Sequence, residues 1–281
     1  MLMKACCVFF LIGLCGCGGI KLESSWPQKK IKIDGRDGEW GDKYFFDKEG
    51  AIVGLANDAE YMYLFLSTTD RALQMKLLRQ GFTVSFDPKG GKKSKFAVRY
   101  PLGLSQDDLW LLTESLREGQ QEWRGGGIQG IGNKINPQML QSMYTTVMAA
   151  GELEIIGGAE HNKRLLPLAS VSELEVALSF GENKLVYELK VPLARIEKEE
   201  YQVGVGVEAG GSVGIGLLTP ELDTRSLRRE RDPRVGGLGV GNDPYRRGGG
   251  YGGYGRRQGV GVFRDVMKPL QLWANVDLAD R

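Results

Sequence analysis

The chain has 281 residues, of which 37 are Lys or Arg and 35 are Asp or Glu, so its formal charge is +2 with the single His neutral. This balance excludes a strongly basic nucleic-acid scaffold and an acidic solvating chain. A hydrophobic fraction of 42% and a charged fraction of 26% are typical of a globular protein. One His argues against His-rich zinc sites, His-based catalytic triads and bis-His haem.

The first sixteen residues are typical of a signal peptide. Residues 1–4 carry one positive charge, and residues 5–14 form an apolar run that is too short to span a bilayer. The run ends in Leu14-Cys15-Gly16-Cys17, which resembles the lipobox of bacterial lipoproteins, where a small residue precedes the lipidated cysteine. The resemblance implies that Cys17 carries the acyl chains and begins the mature protein. The alternatives are a plain secretory signal and an N-terminal membrane anchor.

Cleavage before Cys17 removes the other three cysteines, so the mature chain keeps no free thiol. Disulfides, zinc-thiolate sites and cysteine nucleophiles are thereby excluded. Gly18 and Gly19 lack the Asp that favours inner-membrane retention in enteric lipoproteins. We therefore expect a lipid-anchored protein of the bacterial cell envelope, in the outer rather than the inner membrane, with residues 17–29 as its lipidated N terminus and linker.

From Ile31 onward, apolar and polar residues alternate as they do in half-buried antiparallel strands. The clearest strands are residues 174–180 and 184–191, and residues 61–66 are apolar on both faces, like a central strand. Further strands are predicted at residues 82–86, 96–100, 203–207, 213–217 and 270–278. Turn signals separate them at residues 87–91, 181–183 and 209–211. Many short strands with such turns predict a mainly β fold, an antiparallel β-sandwich.

Two short helices are predicted to decorate the sandwich. Ser105 and Asp108 have the spacing of a capping box ahead of an apolar stripe, which begins the first helix. Asn136-Pro137 opens the second helix and Gly151 closes it. The stripe of Met139, Met143 and Val147 on the second helix indicates core packing rather than a cofactor site.

Residues 225–264 have an unusual composition, with ten Arg against three acidic residues and with 12 Gly. Because the predicted strand 270–278 follows, this segment is a long Gly/Arg-rich loop insertion rather than a tail. Arg with interleaved Tyr resembles RGG-type segments that bind single-stranded nucleic acid, but an exported lipoprotein argues against that partner. The segment is interpreted as a disordered, solvated loop. The alternative is contact with an anionic envelope partner through its paired arginines, Arg246, Arg247, Arg256 and Arg257.

The N-terminal third of the mature chain is similar to the opening of carbohydrate-binding module family 9-like (DOMON-like) domains. The residues that carry the resemblance are Ile31-Lys32-Ile33-Asp34-Gly35, Glu39-Trp40, and Asn57-Asp58 leading into Tyr61-Met62-Tyr63-Leu64 and Asp70. The similarity covers residues 30–101. It implies one antiparallel sandwich over residues 30–281, in which Asp34-Gly35 makes a tight turn, Trp40 caps the end of the sandwich and Asn57-Asp58 turns into the central strand.

That family implies two classes of ligand. Some members bind a sugar between aromatic faces, and the related cytochrome-like members hold haem through Met and His. His161 lies in the polar run 159–163, which indicates a surface residue and argues against haem. We therefore expect no cofactor and no metal. The candidate sugar platforms are Trp110, Trp123 and Trp273, and ordinary packing is the alternative for each.

No nucleophile, acid pair or metal-ligand pattern indicates an enzyme. The sequence favours a non-catalytic envelope lipoprotein that is held in the membrane by its N-terminal acyl chains and binds a saccharide. The alternative is a structural or assembly lipoprotein that contacts a protein or an anionic envelope partner through the Gly/Arg/Tyr-rich loop. A hydrolase accessory protein is a third hypothesis.

Replacing the predicted lipidated cysteine tests the envelope assignment. Cys17→Ala should abolish acylation and move the protein from the detergent phase to the aqueous phase on phase separation, because acyl chains anchor it. Cys15→Ala is the matched control and should stay lipidated. An unchanged mass and unchanged partitioning of the Cys17→Ala protein would contradict the prediction.

Overall fold

The computed structural model describes residues 19–41, 43–118, 137–157, 162–198, 201–221 and 268–281. Within them, strands dominate and three helices accompany them. In chain order the strands are β1 (Ile20–Glu23), β2 (Lys43–Phe46), β3 (Ala51–Asn57), β4 (Tyr61–Thr68), β5 (Thr83–Asp87), β6 (Phe96–Arg99), β7 (Glu152–Gly157), β8 (Asn162–Pro167), β9 (Glu175–Gly181), β10 (Lys184–Pro192), β11 (Ile196–Glu197), β12 (Gln202–Val203), β13 (Ser212–Leu218) and β14 (Gln271–Asp277). The helices are α1 (Arg71–Gln80), α2 (Gln106–Glu118) and α3 (Pro137–Ala150).

Two sheets pack face to face. The first has seven strands in the order β1-β14-β13-β5-β6-β7-β8, and the second has five in the order β2-β3-β4-β10-β9. Strands β11 and β12 pair with each other as a separate short ladder. Among the described strands, neighbours are antiparallel except that β1 runs parallel to β14. The predicted mainly β fold, an antiparallel sandwich, is confirmed.

The core lies between the two sheets, and the alternation of side chains along β4 shows how it is built. Met62, Leu64 and Leu66 are buried between the sheets, whereas Phe65 belongs to a separate cluster on the outer face of the five-stranded sheet. One apolar gap between the sheets measures about 10 Å³, close to the space of a single water molecule. This gap is too small to hold a ligand.

The two predicted helices are present, the first with its predicted start and the second with its predicted start and end. In α2, the Asp108 N–H donates to the hydroxyl of Ser105 at 3.1 Å and the Asp108 carboxylate accepts the Ser105 N–H at 3.0 Å, which is a capping box. Helix α3 begins at Pro137 and is followed by Gly151 at φ +59°. The prediction of only two helices is wrong, because α1 also forms. Seven of its ten side chains are buried, although five of its ten residues are polar or charged.

The predicted strand at residues 203–207 is also wrong. Only Gln202 and Val203 pair, as β12, and the chain leaves the extended conformation at Gly204, whose φ is +117°. A Cβ at Gly204 would lie 2.0 Å from the carbonyl oxygen of Ala194, so the close approach of two backbone segments requires glycine there. The alternating valines are still buried, but in an irregular segment.

The segment 17–29, which the sequence assigns to a lipidated N terminus and linker, contains a strand. Strand β1 adds to the edge of the seven-stranded sheet beside β14. The chain then passes to the other sheet, where Ser25 bridges to Ala56 of β3. From there residues 26–41, here called the strap, run over the outer face of the five-stranded sheet.

A buried carboxylate holds the strap in place. Glu188 of β10 is fully buried on the outer face, where its Oε2 accepts the backbone N–H groups of Asp34 at 2.9 Å and Gly35 at 2.6 Å. Its Oε1 accepts the indole N–H of Trp40 at 2.7 Å. Burial raises the pKa of the Glu188 carboxyl, and the three N–H donors, which favour the ionised form, oppose this rise.

The turn predicted at Asp34-Gly35 is confirmed, since Gly35 has φ +79° and the Asp34 carboxylate accepts the N–H of Arg36 at 3.1 Å. The predicted place of Trp40 is wrong. Its ring does not close an end of the sandwich but lies on the outer face, 5.3 Å from the ring of Phe65. A Cβ at Gly54 would lie 2.9 Å from the Trp40 ring, so Gly54 makes room for the indole.

Glu188→Gln should lower the free energy of unfolding by about 1–3 kcal/mol, because a side-chain amide offers one acceptor oxygen where the carboxylate offers two, and at least one buried N–H loses its partner. Urea denaturation monitored by Trp fluorescence measures the change. Glu182→Gln, in the exposed β9–β10 turn, is the control and should leave stability within about 0.5 kcal/mol. Equal stability of the two variants would show that the strap does not depend on Glu188.

Candidate functional site

An open cleft of about 530 Å³ lies where the strap passes the start of β4. Residues 26–31 of the strap form one wall, and residues 58–61, with Tyr63 and Lys190, form the other. The volume is within the range of small-molecule sites. The strap begins beside Ala56 of β3 and crosses the outer face of the sheet toward Glu188. It leaves the first residues of β4 uncovered on one side, and the cleft is the space that remains there.

Three aromatic side chains line the cleft. Tyr61 and Tyr63 are two residues apart on β4, so both project from the outer face of the sheet. Trp26 comes from the opposite wall, directly after the bridge between Ser25 and Ala56. Trp26 and Tyr61 are half-buried and Tyr63 is 5% exposed. Two partly accessible rings therefore face a common space, with the Tyr63 ring forming its base.

Asp58 fixes the turn that presents Tyr61. One of its carboxylate oxygens accepts the backbone N–H groups of Glu60 at 2.9 Å and Tyr61 at 2.7 Å, and the other accepts the hydroxyl of Tyr63 at 2.7 Å. Burial raises the pKa of Tyr63 far above its usual range, and the neighbouring Asp58 carboxylate adds to this rise. The phenol therefore stays protonated and remains a donor to Asp58.

A buried amide ties this turn to the rest of the chain. Asn57 is fully buried, and its side chain donates to the carbonyl of Ala279 at 3.0 Å and to that of Asp58 at 3.1 Å. Its amide oxygen accepts the N–H of Ala279 at 2.9 Å and the hydroxyl of Ser24. The end of β1, the end of β3 and the C-terminal residues thus meet at one point, two residues from Trp26. The network fixes where both walls of the cleft begin.

Lys190 of β10 supplies a positive charge at the cleft. Its ammonium lies 2.6 Å from a carboxylate oxygen of Glu175 and 4.2 Å from the centre of the Tyr61 ring. A cation at this distance from an aromatic ring is attracted by the ring's negative face. The contact holds Tyr61 against the sheet and leaves Lys190 at the margin of the cleft.

The predicted tryptophan platforms lie elsewhere or outside the described residues. Trp110 is on α2 and is 64% exposed. Trp273 is on the outer face of the seven-stranded sheet, on the other side of the sandwich from the cleft, where its ring lies against Gly216. Neither lines the cleft. Their role in binding stays a prediction. Other predicted residues fall outside the described ranges: Cys17, Trp123, His161, and the insertion 225–264 with Arg246, Arg247, Arg256 and Arg257.

The residues that form the cleft were not predicted as a site. Trp26 lies in the expected linker, and Tyr61 and Tyr63 were interpreted as part of a central strand with two apolar faces. Asp58 was predicted as a turn residue, which is confirmed, but not as a wall of a cleft. The available signal was the spacing of the two tyrosines, which places both rings on one face of a strand directly after a turn.

The described residues hold no group of three or more His, Cys, Asp or Glu side chains that is arranged to bind a metal ion. Among the helices that the structure describes, none combines the length and the apolarity that crossing a membrane requires.

The sequence matches no protein-family model and no curated protein. Among solved structures, the chain is similar to a carbohydrate binding module family 9 from Caldicellulosiruptor kristjanssonii in complex with glucose. The alignment has 8% sequence identity and a TM-score of 0.32, and it covers 73% of this chain and 81% of that one. A similarity at this level does not establish a family or a ligand, so any function has to be argued from the side chains of the cleft.

Proposed function

We propose that the protein is a non-catalytic, lipid-anchored protein of the cell envelope that binds a saccharide in the cleft between the strap and β4. The observation that carries this proposal is the pairing of two partly accessible rings, Trp26 and Tyr61, across an open cleft with polar side chains around them. The C–H faces of a sugar pack on such rings, whereas its hydroxyls require polar partners close by.

The polar groups of the cleft suit a ligand rich in hydroxyls. Gln28 and Glu60 are exposed at the two walls and supply an amide and a carboxylate, and Lys190 supplies an ammonium. Sugar hydroxyls both donate and accept hydrogen bonds, so a mixed set of partners serves them better than a set of one kind. Open, partly polar walls favour weak binding to an extended glycan over the enclosure of a small hydrophobic ligand.

The chemistry of the carboxylates supports binding without cleavage. Glycoside hydrolysis in most families needs a pair of carboxyl groups, one of them free to donate a proton to the leaving oxygen. Asp58 already accepts three hydrogen bonds from the chain itself, which commits its carboxylate to the turn. The other carboxylate that lines the cleft, Glu60, is exposed to solvent.

Lipidation at Cys17 would set the position of the sandwich relative to the membrane. Only two residues separate Cys17 from the start of β1 at Ile20. Three Cα–Cα steps span at most about 11 Å. The edge of the seven-stranded sheet would therefore lie close to the lipid headgroups, and the cleft would meet glycans near the membrane surface.

A structural or assembly role is the second candidate function. The observation that favours it is the composition of residues 225–264, whose ten Arg and three acidic residues give a net charge of +7. In this alternative, an anionic envelope polymer or protein binds the Gly/Arg/Tyr-rich segment, and the cleft has no ligand. Deletion of 225–264 would then abolish capture of that partner, whereas Trp26→Ala and Tyr61→Ala would leave the capture unchanged.

Saccharide binding is tested by glycan-array screening followed by calorimetry with a retained oligosaccharide. Trp26→Ala and Tyr61→Ala should each weaken binding by about 1–3 kcal/mol, since each removes apolar area that the sugar covers. That loss corresponds to about 5- to 150-fold in Kd. Trp110→Ala and Trp273→Ala are controls that remove aromatic rings outside the cleft and should leave Kd within about twofold.

Two outcomes would contradict the proposal in different ways. If no glycan binds the wild-type protein, saccharide binding itself is wrong and the assembly role becomes the better candidate. If Trp110→Ala or Trp273→Ala abolishes binding while Trp26→Ala and Tyr61→Ala do not, the saccharide binds, but outside the cleft.

A further inference from the structure

We infer that the cleft selects an anionic saccharide, one that carries a carboxylate or phosphate group, over its neutral counterpart. This inference rests on the proposed function and adds the class of ligand to it. The observation behind it is the way in which the charged groups at the cleft are paired.

The lysines of the outer face fall into two groups. Lys43 and Lys184 both pair with Asp37 of the strap, at 3.6 Å and 2.7 Å. By contrast, Lys29 and Lys30, which line the cleft, are exposed, and neither has a carboxylate within 4.0 Å among the residues that the structure describes. The strap wall thus carries two lysines, neighbours in sequence, that have no carboxylate partner among the described residues.

The negative charges at the cleft either have partners within the protein or lie on the wall opposite the two lysines. Asp58 accepts three hydrogen bonds within its own turn, and Glu175 pairs with Lys190 at 2.6 Å. Glu60 lies in the β3–β4 turn, on the wall opposite Lys29 and Lys30. The charge in the cleft is therefore segregated, with unpaired cations on the strap wall and carboxylates on the turn.

This segregation orients a charged sugar. The sugar ring would lie against Trp26 and Tyr61. A carboxylate or phosphate substituent that points to the strap would then approach Lys29 and Lys30. The same substituent would approach the carboxylate of Glu60 if it pointed to the turn. A neutral sugar can accept hydrogen bonds from the two ammonium groups, but it lacks the charge attraction that a carboxylate or phosphate adds. The cleft should therefore prefer the anionic form of the sugar. Binding of that form should weaken at high salt, because salt screens exposed charge pairs.

The test uses pairs of ligands in which an anionic group is masked or removed: oligogalacturonate and its methyl ester, oligomannuronate and its methyl ester, and lipopolysaccharide vesicles before and after dephosphorylation. The soluble pairs and the vesicles distinguish a free polysaccharide from a lipid headgroup as the source of the anion. We expect the anionic member to bind more tightly in the pairs that bind. The double variant Lys29→Gln/Lys30→Gln should weaken that binding by about 2- to 25-fold, as two exposed charge pairs allow.

The control is Lys21→Gln/Lys48→Gln, which removes the same charge from exposed positions outside the cleft and should leave Kd within about twofold. The inference is overturned if neutral members bind as tightly as anionic ones, if only neutral glycans bind, or if the two double variants weaken binding equally. In these cases saccharide binding itself stands. Failure of every glycan, neutral or anionic, would overturn the proposed function as well.

Discussion

The carboxylate of Glu188 is buried on the outside of the sandwich, where a sheet would normally face water, and it is satisfied there by three N–H groups from a single stretch of chain. A buried carboxylate without such donors would be strongly destabilising. The donors come from Asp34, Gly35 and Trp40, so the strap can lie in only one register across β10. Burial of Trp40 and Ile31 then adds apolar contacts to the same surface.

The cleft is a consequence of that register. The strap starts at the Ser24–Asn57–Ala279 network and ends at the Glu188 anchor, and between these two fixed points it spans the outer face beside Tyr61 and Tyr63. Buried polar groups therefore hold both ends of the strap.

The same construction explains why binding suits this site better than chemistry. The Asp58 carboxylate accepts hydrogen bonds from the backbone N–H groups of Glu60 and Tyr61. A side chain held in this way shapes the surface of the cleft and is poorly placed to transfer a proton. The groups that keep conformational freedom are the exposed lysines of the strap. In the proposed function, these lysines are the groups that a charged substituent of the ligand would contact.

Local sequence patterns determined most of the strands, the capping box at Ser105, the helix that begins at Pro137 and the turn at Asn183, because each depends mainly on neighbouring residues. Tertiary structure decided the rest. Packing against the rest of the chain buries three polar residues of helix α1, Gln74, Lys76 and Gln80. Gly204 ends a strand because Ala194 approaches it from another segment. Trp26 and Tyr61 are far apart in sequence and meet only because Glu188 and Asn57 hold both ends of the strap. Contacts between residues that are distant in sequence produce no periodic pattern along the chain. The cleft could therefore be found only once the fold was known.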